Sequence, residues 1–185
     1  MVASGMTLQL VYEIERRHLG RRRLADAVGG TEMSVRLELE RLRDGRLLEL
    51  RREGPRLTGP GAKRFKPLFD CVRDVRPVEL TTLRVDAIAL GAVVRGCTPP
   101  SAWEARDLAV RGGATGILLL RFESGSWFFT HDGEPVGERN RVDAGTLSAA
   151  FSDVESGDHL LVAFGGDLTQ AGRGLWHVLS ETLHL

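Results

Sequence analysis

Arginine is the residue of this sequence best suited to ligand chemistry, because its planar guanidinium binds a phosphate or a guanine edge through two hydrogen bonds. The chain has 25 basic residues, 23 of them arginines, and a formal net charge of zero. Residues 1–66 carry 15 Lys and Arg against 9 Asp and Glu, a net charge of +6, and residues 67–185 carry 10 against 16, a net charge of −6. A GC-rich genome also favours Arg over Lys, so the excess of Arg is not a sign of nucleic-acid binding, and only the charge asymmetry between the two parts is. That asymmetry is typical of a nucleic-acid-binding module joined to a module with another role.

Side chains that catalyse reactions or bind metals are present, but their spacing matches no known set. His131 and Asp132 are an adjacent acid–base pair, yet no Ser, Cys or second His stands at a catalytic spacing from them. The GGD sequence at 165–167 can present free amides to an anion, but its glycine spacing is not that of a phosphate loop, so its Asp is predicted to be an N-cap. Cys71 and Cys97 are predicted to be free thiols in a reducing cytosol. We therefore predict no enzyme activity, no metal site and no cofactor.

Three helices are predicted in the first 45 residues. Apolar residues at helical spacing indicate helices over 6–18, 24–28 and 32–44. Gly29-Gly30 separates the last two, and Gly45 is predicted to be the left-handed residue that ends the third. Two helices joined by a short turn that contains glycine form a helix-turn-helix unit.

The third helix is predicted to have a buried side and an outward side. Val35, Leu39 and Leu42 lie at i, i+4 and i+7 and are predicted to face the core. Thr31 precedes the helix as an N-cap. The residues of the early turns that then face outward are Glu32, Met33, Ser34, Arg36 and Leu37.

A β-hairpin is predicted directly after the third helix. Residues 47–58 read as a strand, a tight turn at Glu53-Gly54-Pro55 and a returning strand. Arg51, Arg52 and Arg56 lie near its tip. A hairpin that follows a helix-turn-helix unit in this way is a wing.

The segment LADAVGGTEMSVRLELERLRDGRLLELRREGPRLTGPGAKRF, residues 24–65, resembles the winged-helix superfamily of transcriptional regulators. The resemblance lies in the order and spacing of Leu24-Ala25, the Val35, Leu39 and Leu42 core, Asp44-Gly45, and Leu57-Thr58 with Gly61. It implies a winged helix-turn-helix domain over 1–66. The helix over 32–44 would enter the major groove of double-stranded DNA, and the wing over 47–58 would lie on the backbone.

The resemblance also implies roles for surface residues. Arg36 is the candidate for guanine readout, because its fork can span O6 and N7, and Ser34 can reach a phosphate or a base edge. The arginines of the wing would bind phosphates or enter the minor groove, and those at the start of the second helix would hold the backbone. The predicted DNA-binding residues are Thr31, Glu32, Met33, Ser34, Arg36, Arg21, Arg22, Arg23, Arg51, Arg52 and Arg56.

Three glutamates make the third helix less basic than many recognition helices: Glu32, Glu38 and Glu40. Glutamate can accept a hydrogen bond from cytosine N4, but acidic residues also occur where a winged helix binds other proteins. A platform for protein or RNA is therefore an alternative function.

A connector helix is predicted over 67–76, inside an amphipathic segment over 60–73. Its apolar stripe either packs on the first helix or pairs with a second copy, and the second reading predicts a homodimer. The candidate dimerisation residues are Phe65, Leu68, Phe69 and Val72. A turn around Pro77 is the predicted domain boundary.

Residues 77–185 are predicted to form a second domain of helices and strands. Strands are predicted over 83–94, 116–122, 126–130 and 160–164, and helices over 103–110, 143–151 and 168–183. This order predicts an α/β sandwich with a mixed sheet that helices cover on one face. The whole chain is predicted to have two domains, of α+β and α/β class.

Three segments, RVDAIALGAVVRG, EARDLAVRGGATGILLL and GDHLLVAFGGDLTQAGRGLWHVL, together with the N-terminal pattern, resemble an uncharacterised archaeal family. In that family a winged helix precedes an α/β domain of unknown function. Met1–Gly5 does not look like a signal peptide, so a cytoplasmic location is predicted. The resemblance implies a transcriptional regulator. Its C-terminal domain would dimerise or sense a small-molecule effector that the sequence does not identify, and an enzymatic C-terminal domain is the other alternative. No apolar run is long enough for a membrane span, so no membrane partner is expected.

Overall fold

The structure is a computed structural model that describes residues 3–17, 19 and 21–185, with the backbone alone at 17, 21 and 22. The first elements are α1 (Gly5–Arg17), α2 (Arg21–Val28), α3 (Glu32–Asp44), β1 (Leu48–Arg51), β2 (Gly54–Leu57), α4 (Gly59–Arg64) and α5 (Lys66–Cys71). They are followed by β3 (Val72–Val78), β4 (Ile88–Val94), α6 (Ala102–Arg111), β5 (Gly116–Glu123), β6 (Ser126–Phe129), α7 (Val136–Arg139), α8 (Arg141–Ala150), β7 (His159–Gly165) and α9 (Leu168–Leu183). The protein is a mixed α+β structure with antiparallel sheets.

The three helices and the hairpin predicted in the first 58 residues are present, and α3 has the predicted bounds. Thr31 caps α3, because its hydroxyl oxygen accepts a hydrogen bond from the amide of Ser34 at 3.1 Å. Strands β1 and β2 pair antiparallel, from Leu48 opposite Leu57 to the turn.

The left-handed residue after α3 lies one position later than predicted. Gly45 has a φ of −72°, and the left-handed residue is Arg46, with a φ of 59°. The amide of Leu47 donates to the carbonyl of Leu42 at 2.9 Å, and that of Arg46 donates to the carbonyl of Arg43 at 2.8 Å. This pair of bonds is the Schellman motif, in which the left-handed residue follows the C-cap. Gly45 is therefore the C-cap, and the chain turns at the next residue.

The predicted connector helix over 67–76 is wrong beyond Cys71, because residues 72–78 form strand β3. Pro77, predicted in a turn, lies inside this strand opposite Leu90. The three valines of β3 and the restriction that a proline imposes on the preceding residue favour extended backbone. Since β3 is an edge strand, the missing proline N–H is tolerated there.

The larger sheet has the strand order β3-β4-β7-β5-β6, and all of its neighbouring pairs are antiparallel. The prediction of a mixed sheet is therefore wrong. Strands β4 and β5 run in the same direction and are joined through α6, as in a parallel β-α-β unit. Strand β7 lies between them, antiparallel to both. Local sequence patterns contain no information about this insertion.

Helices cover both faces of this sheet, not the one face that was predicted. Alternate residues of β7 show this, because Leu161 and Ala163 belong to a cluster with α6 and α9, whereas Leu160 and Val162 belong to a cluster with α7 and α8. A strand buried on both faces has a continuous apolar sequence without alternation. The LLVAF run of β7 has that character.

The two cysteines form a disulfide bond, so the prediction of free thiols is wrong. Cys71 ends α5 and Cys97 follows β4, and their Cα atoms are 5.9 Å apart. The pairing of β3 with β4 brings the two ends together, since Val72 lies opposite Val94 and the amide of Arg95 donates to the carbonyl of Cys71. A separation of 26 residues gave no sign of this contact.

Helix α9 packs on the sheet with one side and on α1 with another. The rings of Tyr12 and Trp176 are 5.3 Å apart, and Gly5 lies directly against the backbone of Trp176. One buried cluster consequently extends from α1, α2 and α3 into β4 and β7. Among the helices of the described residues, each is too short or too polar to cross a bilayer.

Candidate nucleic-acid interface

Helix α3 has a buried side and an exposed side, as its spacing predicted. Val35, Leu39 and Leu42 are at most 3% exposed, because they form part of the core with α1 and α2. On the opposite side Met33 is 61% exposed and Leu37 is 58% exposed. Two large apolar side chains therefore lie at the surface, one helical turn apart.

Arg36, the predicted base-reading residue, is exposed and lies beside this apolar pair. Its Nε donates to Oε1 of Glu40 at 2.9 Å, an i,i+4 ion pair on the surface of α3. This hydrogen bond raises the pKa of Arg36 above its ordinary value. The guanidinium is thus held over the outer side of α3, and its remaining N–H groups are available to a ligand.

The other predicted residues at the start of α3 have structural roles of their own. The hydroxyl of Ser34 donates to the carbonyl of Thr31 at 2.8 Å, so both residues take part in the helix cap. Glu32 is exposed in the first turn, where a negative charge is favourable to the helix dipole. Each of the three lies at the exposed N-terminal end of α3.

Glu38 faces α1 and not the outer side of α3. Its Oε1 accepts hydrogen bonds from the hydroxyl of Thr7 and from Nη2 of Arg41, each at 2.5 Å. Burial raises the pKa of Glu38, but the bonds from Arg41 and Thr7 outweigh it and hold that pKa below its usual value. Of the three glutamates that weakened the DNA interpretation, Glu38 is therefore turned toward the core and Glu40 is neutralised by Arg36.

The β1–β2 hairpin contacts α3 through β1 and exposes its arginines. Arg51 pairs with Glu49 at 2.6 Å. Arg52 lies in the turn and Arg56 lies on β2 opposite Glu49. Within the described part of the chain, neither Arg52 nor Arg56 has an ion-pair partner. Both guanidinium groups are therefore available to an anionic ligand.

The predicted backbone clamps lie at the start of α2. Arg23 is exposed there. The side chains of Arg21 and Arg22 lie outside the described residues, so that part of the prediction stays untested. Gly54 at the hairpin turn lies near the carbonyl of Leu19, which places the hairpin tip near the chain that enters α2.

The apolar stripe predicted as a dimer interface is used inside the chain. Phe65, Leu68 and Val72 are at most 1% exposed and belong to the core cluster, and Phe69 is partly buried against it. The alternative of internal packing is therefore what the structure shows. A homodimer would need a different surface.

The C-terminal candidates form local contacts. Nε2 of His131 lies 2.9 Å from Oδ2 of Asp132 in an exposed pair. Asp167 caps α9 by accepting a hydrogen bond from the amide of Gln170 at 2.8 Å, as predicted for the GGD sequence. The described residues contain no group of three or more His, Cys, Asp or Glu placed to hold a metal ion.

Two buried aspartates were missed by the sequence reasoning. Asp143 accepts hydrogen bonds from the Thr81–Leu83 segment, and Asp158 accepts two bonds of 2.8 Å from Arg95. Burial acts to raise the pKa of each carboxyl, but the hydrogen bonds together lower both pKa values below the usual range. No local signal marked them, because an aspartate in a polar segment is normally a surface residue.

A cleft of about 470 Å³ lies between the start of α3 and helix α9. Thr31 and Ser34 line one side of it, and Arg173, Trp176 and His177 line the other. Arg173 also reaches the carbonyl of Gly29 across the cleft at 3.4 Å. The cleft therefore joins the candidate interface to the C-terminal half.

Comparisons with known proteins relate this chain to others by fold and not by sequence. No protein-family model matches it, and no curated protein matches it. Among solved structures, the hypothetical protein PH0730 from Pyrococcus horikoshii OT3 is similar, with a TM-score of 0.77 and 21% sequence identity. The match covers 97% of this chain and 92% of that one. The chain therefore shares its fold with an uncharacterised archaeal protein.

Proposed function

We propose that residues 1–66 form a winged helix-turn-helix domain and that the protein is a sequence-specific, DNA-binding transcriptional regulator. The observation that supports this best is the exposed outer side of α3 beside a hairpin whose arginines Arg52 and Arg56 are free of ion pairs among the described residues. Three helices followed by a two-stranded hairpin is the element order of a winged helix.

In this proposal α3 lies in the major groove, which is wide enough to admit a helix. Arg36 reads guanine, and Thr31, Glu32, Met33 and Ser34 lie at the end of α3 nearest the bases. Arg36 must exchange its contact with Glu40 for a contact with the base. An exposed i,i+4 ion pair stabilises a helix by only about 0.3–0.5 kcal/mol, so this exchange costs little.

The phosphates are bound by residues outside α3. Helix α3 itself has four acidic and three basic residues, a net charge of −1, so it supplies little attraction to DNA. The +6 charge of residues 1–66 comes instead from arginines such as those of the hairpin and of the start of α2. Arg51, Arg52, Arg56 and Arg23 are the phosphate-binding residues of the proposal, together with Arg21 and Arg22.

We assign the C-terminal half a sensing role and no catalytic step. A small molecule in the cleft between α3 and α9 would touch Thr31 and Arg173 at once and so change the position of α3. A regulator that binds DNA acts where the DNA is, so the proposal includes a cytoplasmic location.

The test is to select binding sites from a pool of random duplex DNA with the purified protein, and then to measure affinity as a function of salt. Binding is expected to weaken steeply as salt rises. The protein displaces cations from the DNA phosphates when it binds, and this release is less favourable when the salt concentration is high. Arg52→Ala should weaken binding to all sequences alike and lower the salt slope by about one. Arg36→Ala should cost about 1–3 kcal/mol at a guanine position and relax the preference there.

Arg106→Ala, an exposed arginine of α6, is the matched control and should change neither quantity. Absence of binding to duplex DNA at low salt would overturn the proposal. Equal effects of Arg52→Ala and Arg106→Ala on binding would show that the hairpin does not contact DNA.

A further inference from the structure

The outer side of α3 carries two apolar side chains in its N-terminal half. Met33 and Leu37 are four positions apart and so lie on one line along the helix, opposite the buried Val35 and Leu39. Both are more than half exposed, so the described part of the chain leaves most of each side chain uncovered. When a recognition helix lies in the major groove, the residues near its N-terminal end contact the base edges.

The residues around this pair are polar and charged. Arg36 and Glu40 form their ion pair on one side, and Arg41 lies on the other, tied to Glu38. Two apolar side chains between charged neighbours make a small apolar area, whereas protein-docking surfaces are larger and continuous. An apolar pair beside the polar groups of Arg36 and Glu40 fits a base-pair edge that contains both a methyl group and hydrogen-bonding groups. The cationic hairpin beside α3 favours DNA as the partner.

Thymine is the base that presents a methyl group in the major groove, and apolar side chains recognise it there. One helical turn rises about 5.4 Å, and neighbouring base pairs are about 3.4 Å apart. Side chains one turn apart, such as Met33 and Leu37, therefore reach base pairs that are neighbours or that have one base pair between them.

We propose that Met33 and Leu37 determine specificity by contacting the C5-methyl groups of thymines, so that the site facing the N-terminal half of α3 contains A·T pairs beside the guanine read by Arg36. This inference rests on the proposed DNA-binding function. It adds the chemical identity of the bases that the apolar part of α3 recognises.

The test replaces single thymines of a selected binding site by deoxyuridine, which pairs with adenine in the same way but lacks the methyl group. Loss of one buried methyl is expected to weaken binding by roughly fourfold. The loss should occur at one or two nearby positions and not across the whole site. This change leaves the protein intact, so it does not depend on the folding of a variant.

The protein variants then assign each methyl to a side chain. Met33→Ala and Leu37→Ala are each expected to abolish the deoxyuridine effect at one position while binding of the rest of the site continues. Val142→Ala, at an exposed valine of α8, is the matched control and should leave the full effect.

The outcomes separate the inference from the function on which it rests. Failure to bind any duplex at low salt overturns both. Sequence-specific binding that is indifferent to every deoxyuridine substitution overturns the inference alone, as does a methyl effect that persists in the Met33→Ala, Leu37→Ala double variant. In the last two cases the apolar pair serves another partner, such as a protein.

Discussion

Asp143 shows how a single buried charge organises a loop. Its Oδ1 accepts hydrogen bonds from the amide of Thr81 at 2.8 Å and from the hydroxyl of Thr81 at 2.7 Å. Its Oδ2 accepts from the hydroxyl of Thr82 at 2.8 Å and from the amide of Leu83 at 2.7 Å. A carboxylate with four donors is fully hydrogen-bonded without a cation. It fixes the chain that leads from β3 to β4 against α8.

Asp143→Asn is therefore expected to destabilise the fold. The amide has one acceptor oxygen in place of two, so the donors on one side lose their partner, at a cost of about 1.5–3 kcal/mol. Urea unfolding at pH 7 would measure the difference. Asp107→Asn, at an exposed aspartate of α6, is the control and should change the free energy of unfolding by less than about 0.5 kcal/mol.

The same substitution gives a pH dependence of known sign. Hydrogen bonding lowers the pKa of Asp143 in the folded state, so its contribution to stability is complete above the unfolded pKa of about 3.9. The contribution is lost as the pH falls from there through the folded pKa. The stability difference between the protein and Asp143→Asn should thus be constant from pH 7 to 5 and shrink below pH 4. A difference that stays constant down to pH 2 would contradict the role of the charge.

At the scale of elements, the end of α3 and the hairpin are held together at one point. The hydroxyl of Thr58 donates to the carbonyl of Arg46 at 2.6 Å, and its oxygen accepts from the amide of Gly61 at 3.1 Å. Gly61 lies so close to Leu47 that an added Cβ would be 1.9 Å from the carbonyl oxygen of that residue. Thr58 and Gly61 therefore fix how the hairpin leaves α3 and how α4 returns beside it.

Gly61→Ala is expected to cost about 1–3 kcal/mol, because the Cβ meets backbone that cannot rotate away. Gly59→Ala in the same helix is the control, since an added Cβ there has nothing within 4 Å apart from its chain neighbours. Pro60 follows and disfavours helical backbone at an alanine, so no gain is expected, but the variant should cost less than Gly61→Ala. Thermal unfolding of both variants would measure this. If the hairpin positions the arginines, Gly61→Ala should also weaken DNA binding in the folded protein more than Gly59→Ala does. Equal stability of the two variants would show that α4 can shift freely.

The elements also show what the sequence could predict. The bounds of α3 and α9 follow from apolar spacing and from the caps Thr31 and Asp167, which are local signals. The valines and Pro77 of β3 favour extended backbone locally, but its pairing with β4 joins segments far apart in sequence. The disulfide depends on that pairing, and no local pattern contains it. For the candidate interface, the outward residues of α3 were predictable from spacing, whereas the inward turn of Glu38 depends on Thr7 in another helix. The outward position of Leu37 follows from its spacing to Met33, although Leu37 is not among the predicted DNA-binding residues.

For the whole molecule, helix α9 joins the two halves at close range. Gly5 of α1 lies against the backbone of Trp176, Gly29 after α2 lies against Thr169, and Gly174 lies against Ala114 after α6. Small residues at these positions let the helices approach more closely than side chains would permit. The proposed DNA-binding part and the sheet consequently share one core, and a ligand in the cleft beside α9 would act on both.

This shared core predicts cooperative unfolding. Trp176 is 1% exposed, and its ring packs against Tyr12 of α1. Trp176→Ala should therefore lower the free energy of unfolding by about 3–5 kcal/mol and destabilise both halves together. Trp103 is 68% exposed, so the control Trp103→Ala should change the free energy of unfolding by less than about 0.5 kcal/mol. Far-UV circular dichroism and the fluorescence of Trp127, which lies under the other face of the sheet, would follow the unfolding. The fluorescence is measured in Trp103→Ala, Trp176→Phe, in which Trp127 is the one remaining tryptophan. In this double variant the two signals should change at the same urea concentration, because the buried side of α1–α3 loses its packing when α9 unfolds. Loss of helical signal well before the Trp127 transition would show instead that the N-terminal helices fold and unfold as an independent domain.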